Sequence, residues 1–124
     1  MKRSLLWLPA LLFLVAGSAP AQDSGEAARI RYLIESVETL QGATFIRNGG
    51  EYHAGKAADH LRLKLKRVGD RVKTAEDFIR LCGSKSSVSG EAYRMRFSDG
   101  TTLETETFFR RRLNAFGAGA LPRP

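Results

Sequence analysis

Tyr93-Arg94-Met95-Arg96-Phe97-Ser98-Asp99-Gly100-Thr101-Thr102-Leu103-Glu104 is the stretch that decides the fold class. Tyr93, Met95 and Phe97 alternate with Arg94 and Arg96, the period of a strand with one buried face. Ser98-Asp99-Gly100 supplies a three-residue loop with Gly100 in the left-handed conformation. That loop sets Met95 opposite Leu103 and Arg94 opposite Glu104. A two-residue Asp-Gly turn would instead face Met95 with Glu104, so the bulged register is expected. A lone hairpin is marginal in water and needs a surface to lie on. The rest of the chain supplies helices for that purpose. The expected class is α+β, mainly α: about four helices packed with one β-hairpin.

Upstream, Ile30, Leu33, Ile34, Val37 and Leu40 make a single apolar stripe, which predicts a helix from Glu26 to about Leu40. Asp23 and Glu26 have capping-box spacing, and Gly42 stands where a C-terminal glycine belongs. Thr44 to His53 reads as a connection, with Phe45 and Ile46 apolar and Arg47-Asn48-Gly49-Gly50 a turn. A second helix is expected from about Gly55 to Val68, burying Ala57, Ala58, Leu61, Leu65 and Val68. Arg62, Lys64, Lys66 and Arg67 would make its outer surface basic. Thr74 caps a third helix whose acidic first turn suits the helix dipole. Ala75, Phe78, Ile79 and Cys82 face inward there, and Gly83 ends it. Ser84 to Gly90 is a serine-rich loop, and a last helix from about Glu106 to Phe116 buries Phe109, Leu113 and Phe116. The chain has no internal repeat.

The N-terminus carries an address. Lys2 and Arg3 precede an apolar run over Leu5–Val15, broken by Pro9, and Ala19-Pro20-Ala21 follows. That order reads as a secretory signal peptide over residues 1–21, cleaved near Ala21. The run is too short to span a bilayer well, and no second one follows. The expected product is periplasmic or secreted, with no transmembrane segment. It comprises one small globular domain over 22–116 and a flexible tail over 117–124. Cleavage lowers the formal charge from +7 to +5 by removing Lys2 and Arg3. A small basic exported protein favours an acidic or anionic envelope component, or another periplasmic protein, and its compartment disfavours nucleic acid. Cys82 is the single cysteine, so no internal disulfide forms.

Several segments together carry a resemblance. They are Phe45-Ile46-Arg47-Asn48-Gly49, Ala57-Ala58-Asp59-His60-Leu61, Lys73-Thr74-Ala75-Glu76-Asp77-Phe78-Ile79, Ser86-Ser87-Val88-Ser89-Gly90 with Tyr93, and Asp99-Gly100. In that order the chain resembles a family of short exported bacterial proteins described as a domain of unknown function, over about Ile30 to Leu113. The resemblance implies the compartment and a single small domain, and supplies no catalytic residues. Two positions depart from the pattern. A hydroxyl residue would cap the second helix better than His53, and an alanine-serine pair is the plainer expectation at Cys82-Gly83.

Candidate chemistry centres on His60. A histidine carries protons near neutral pH but needs a nucleophile within reach. Ser86, Ser87 or Ser89 would make a hydrolase-like pair with it, Ser87 being the weak catalytic candidate. Glu51 or Asp59 would then orient the imidazole. The plain alternatives are a packing histidine and a loop whose hydroxyls satisfy its own backbone. A ligand surface is also expected from Arg47, Asn48, Lys85, Ser86, Ser87, Ser89 and Tyr93, a set suited to an anion. The loop is neither a P-loop nor a penicillin-binding motif. His53 and His60 lack zinc-site spacing, so no metal and no cofactor is expected. Arg110-Arg111-Arg112 adds a basic cluster to those of the second helix, which together would suit acidic envelope surfaces. The favoured reading is a non-enzymatic binding or accessory module using the 45–53 and 84–93 loops. The alternatives are the hydrolase and the basic adhesion module.

Overall fold

The hairpin register follows from the bulged loop. In the computed structural model, which describes residues 24–117, Arg94 pairs with Glu104, Met95 with Leu103 and Arg96 with Thr102, and Gly100 has φ +89°. Asp99 closes the loop by accepting from the Thr101 amide and hydroxyl. The expected leader over 1–21, the cap at Asp23 and residues 118–124 of the expected tail lie outside the described residues.

The elements run α1 (Ser24–Glu38), β1 (Thr44–Arg47), β2 (Gly50–Tyr52), α2 (Ala54–Val68), α3 (Ala75–Phe78), β3 (Arg94–Arg96), β4 (Thr102–Glu104) and α4 (Thr105–Gly117). The class is α+β with helix predominant, as expected. The sheet, however, is not a single hairpin. It has four antiparallel strands in the order β2-β1-β3-β4. Thr44–Tyr52, expected as a connection, is itself a hairpin, with Phe45 facing Tyr52 and Arg47 facing Gly50. Its turn is Asn48-Gly49, at φ +51° and +80°. Two successive left-handed residues match the twist of the flanking strands, which is why Asn-Gly is favoured there.

Period-two alternation then sorts the sheet into two faces. Phe45, Tyr52, Met95 and Leu103 form one cross-strand row toward the helices. Ile46, Glu51, Arg94 and Glu104 lie in a row on the other face, where Glu51 also pairs with Arg96 at 3.0 Å. The core beneath the first row joins Ile30, Leu33, Ile34 and Val37 of α1 to Leu61, Phe78, Ile79, Cys82 and Phe109. Full burial of each such large side chain contributes about 1.5–3 kcal/mol. Ile30, Leu33, Ile34 and Val37 of α1 and the inward set of the third helix are as expected, whereas Leu40 lies beyond the end of α1 and is partly covered. In α4, Phe108 is buried beside Phe109, while Leu113 and Phe116 are only partly covered.

Three local features revise the expected details. Lys64, placed on an outer basic surface by sequence, is 7% exposed. It occupies the same helical face as Ala57 and Leu61, at spacings of seven and three. His53 does cap α2: its Nδ1 accepts from the Lys56 amide. The third helix is α-helical only over Ala75–Phe78 and continues as a π turn through Ile79–Gly83. Thr74 and Asp77 form its capping box, and Ser84 closes the π turn by donating to the Ile79 carbonyl at 2.7 Å. That turn sets Gly83 flat against Phe109. A Cβ at position 83 would stand 2.5 Å from the ring, so the side chain expected there has no room.

Candidate functional site

The inner face of the sheet ends in a polar row. Continuing the β1–β3 and β3–β4 registers by one residue puts Arg47 beside Tyr93 and Tyr93 beside Thr105. The Thr105 amide donates to the Tyr93 carbonyl at 2.9 Å and confirms that step. α2 crosses in front of this row. Between them lies a cleft of about 290 Å³. Its buried lining includes Val37, Phe45, Leu61, Tyr93 and Thr105, and Lys56, Asp59 and Leu63 stand exposed at its rim.

The polar groups of the cleft form an ordered chain. Lys64 Nζ donates to the Lys85 carbonyl at 2.7 Å and to Tyr93 Oη at 2.9 Å. An ammonium has only protons to give, so Tyr93 Oη is an acceptor in that bond. Its own proton is then available to His60 Nε2, 3.2 Å away. The Tyr93 oxygen can also accept a second hydrogen bond, so His60 Nε2 meets it as acceptor or as donor according to its tautomer. Burial, then the positive charges of Arg47, Lys64 and Arg67, hold the His60 pKa below the usual histidine value. The imidazole is therefore neutral at pH 7. On the sheet side, Arg47 stacks 5.1 Å over the Tyr52 ring and donates to its hydroxyl at 3.5 Å. Gly50 makes room for that ring: a Cβ there would meet Tyr52 Oη at 2.8 Å.

The serine loop is built around its own backbone. The Ser86 amide donates to the Glu91 carbonyl, the Ser86 carbonyl accepts from Gly90, and the Tyr93 amide donates to the Ser84 carbonyl. Ser86 Oγ is buried and accepts from the amides of Val88 and Ser89 and from Asn48 Nδ2. Ser89 Oγ donates to Asn48 Oδ1. The first hairpin turn and the serine loop thus lie together, locked by Asn48.

The sequence candidates therefore divide. Arg47, His60 and Tyr93 meet in the cleft. Asn48, Ser86 and Ser89 form the lock outside it, and Lys85 contributes its carbonyl to Lys64. Ser87 is exposed in the loop. Among the described residues His60 hydrogen-bonds Tyr93 and no serine. Glu51 is engaged with Arg96, and Asp59 lies 3.6 Å from Arg62. The basic clusters are paired in part, while Lys66, Arg67 and Arg111 stand exposed. Arg62 forks onto Glu38 at 2.6 and 3.0 Å, Arg110 bridges Glu76 and Glu106, and Arg112 lies over Phe108. Cys82 is fully buried, and burial pushes its thiol up to about 11.

A family model described as a family of unknown function (DUF5329) matches residues 24–117, the span that carries every element above. The chain belongs to the DUF5329 family. It is also similar to the uncharacterized protein YfeK of Salmonella typhimurium strain LT2, at 36% identity over 93 residues, 75% of this chain and 77% of that protein. No solved structure matches it. In this DUF5329 chain sequence reasoning missed Tyr52 and Thr105 in the cleft lining and Lys64 behind it. Lys64 carried a signal in its helical spacing. Tyr52 and Thr105 needed the four-stranded register before their positions had meaning. No cluster of metal-ligating side chains occurs among the described residues, and no helix there is long and apolar enough to cross a membrane.

Proposed function

We propose that this DUF5329 chain is an exported, non-catalytic binding module whose ligand enters the cleft between α2 and the inner face of the sheet. Export rests on the basic, apolar and Ala-x-Ala order of residues 1–21. The observation that carries the binding reading is the cleft itself, about 290 Å³ of space walled by Phe45, Ala57, Leu61 and Tyr52. A concave, mostly apolar site with a few placed polar groups is the usual form of a small-ligand pocket. The polar chain behind it favours binding over catalysis. Tyr93, Lys64 and His60 Nε2 are engaged with protein partners, and no serine hydrogen-bonds His60 among the described residues. A general base needs a nucleophile's proton within reach.

The test uses a small uncharged apolar probe, indole, with binding followed by amide NMR. Shifts are expected at Phe45, Ala57, Leu61 and Tyr93, and the Ala57→Phe variant, with native amide dispersion, should lose them. Shifts centred on Val88, or binding that survives Ala57→Phe, would refute the cleft as the site.

A further inference from the structure

We infer that the ligand of this cleft is a small monocarboxylate with an apolar body, its head against Arg47 and His60. The inference rests on the binding reading above and adds the ligand's charge and size.

The argument is an inventory of unspent protons. Arg47 carries five N–H groups and makes one long contact, to the Tyr52 hydroxyl. Among the described residues it has no carboxylate partner, and neither has Lys56 at the rim. His60 lines the same cleft and hydrogen-bonds Tyr93 through Nε2, leaving Nδ1 without a protein partner among the described residues. Thr105 lines the cleft too, but its Oγ1 is sealed beneath the surface, so the polar atoms a ligand can reach are those of Arg47 and His60. Against these donors the lining offers one carboxylate, Asp59, which is exposed and near Arg62.

A site rich in donors, poor in acceptors and positively charged selects an anion. Burial and the charges of Arg47, Lys64 and Arg67 already oppose a second cation at His60. The sheet row sets the direction. Arg47, Tyr93 and Thr105 form the polar edge, and the adjoining row of Phe45 and Tyr52 with Ala57 and Leu61 forms an apolar wall. The head belongs on the first and the body on the second. A cleft of about 290 Å³ suits a small ligand, such as a medium-chain alkanoate or an arylalkanoate.

Octanoate, octan-1-ol and octylamine separate the terms, with binding followed by amide NMR on the folded protein. Octanoate is expected to bind at least tenfold more tightly than either comparator. Arg47→Gln should bring the ratio of octanoate to octan-1-ol affinity to near one, and Arg47→Lys should restore part of it. Equal binding of acid and alcohol in the cleft would overturn the carboxylate and leave the binding reading standing. No shift at the cleft amides with any of the three would overturn both. A hexapeptide with an apolar C-terminal residue that binds more tightly than octanoate, and loses binding on amidation, would name a chain end as the occupant and overturn the small-molecule assignment.

Discussion

Replacing Gly83 by alanine sets two effects of opposite sign against each other. Position 83 has a negative φ and ends a helical segment, so alanine would ordinarily help: glycine within a helix is less stable than alanine by roughly 0.5–1 kcal/mol. The tertiary structure forbids it. The new Cβ would lie 2.5 Å from Phe109 Cε2 and 2.7 Å from Cδ2, against an optimal carbon separation of about 3.5–4.0 Å. One of the two must retreat by about 1 Å. Phe109 cannot do so freely. It is fully buried, with Phe78 at 5.6 Å and Phe108 at 5.9 Å between ring centroids. Overpacking of a close-packed core costs about 1–3 kcal/mol, and contacts this short belong at the upper end. Offset by the roughly 0.5–1 kcal/mol of propensity, the net loss is about 1–2.5 kcal/mol, which at roughly 4–8 °C per kcal/mol for a domain of this size lowers Tm by about 4–20 °C. Thermal unfolding followed by circular dichroism measures it. The Phe109→Leu background removes the ring edge, so Gly83→Ala there should be near neutral. A Gly83→Ala protein that melts at or above the wild type would refute the packing argument and leave propensity as the stronger effect.

The remaining predictions concern charge. Lys64→Met removes one of the positive charges facing His60, so the His60 pKa should rise relative to the wild type in a proton NMR titration; an unchanged or lower value would deny Lys64 its place in the network. Since the folded-state His60 pKa lies below its unfolded value of about 6.5, the unfolded chain binds the extra proton first. His60 therefore contributes stability that is complete above about pH 6.5 and is lost as pH falls through the folded pKa, and urea midpoints of a His60→Gln variant should fall less over that window. Cys82, with its thiol pushed up to about 11 and no exposed surface, should resist a disulfide reagent at pH 8 in the native state and react at once in denaturant. Rapid native-state reaction would place the thiol at the surface.

How much of this was legible depends on whether the signal was local. The β3–β4 register came from one loop, Ser98-Asp99-Gly100, because loop length alone distinguishes Met95 facing Leu103 from Met95 facing Glu104. The third helix read well because Thr74 and Asp77 cap within four residues. The first hairpin was half legible. Asn48-Gly49 is a strong hairpin turn, but the strands it joins are four and three residues long. Adjacent Phe45 and Ile46 also mask the alternation. Lys64 had the spacing of a buried residue and the identity of a surface one. What reconciles them is the Lys85 carbonyl, brought from a distant loop that no local pattern reveals. Gly83 is the same case, since only the π turn and Phe109 explain why a side chain is excluded. The site followed suit: Arg47, His60 and Tyr93 were candidates by type, and their company with Tyr52, Lys64 and Thr105 is a product of tertiary register.

The seam between β1 and β3 also bears on assembly. Each hairpin closes over a short turn, on a timescale of microseconds for an isolated hairpin. The seam joins positions 44–46 to 94–96, with α2, the π turn and the serine loop lying between. Its closure carries the larger entropic cost, since a non-local pairing must gather in the chain between. Arg47 and Tyr93 stand on opposite sides of that seam, so neither hairpin alone holds the cleft.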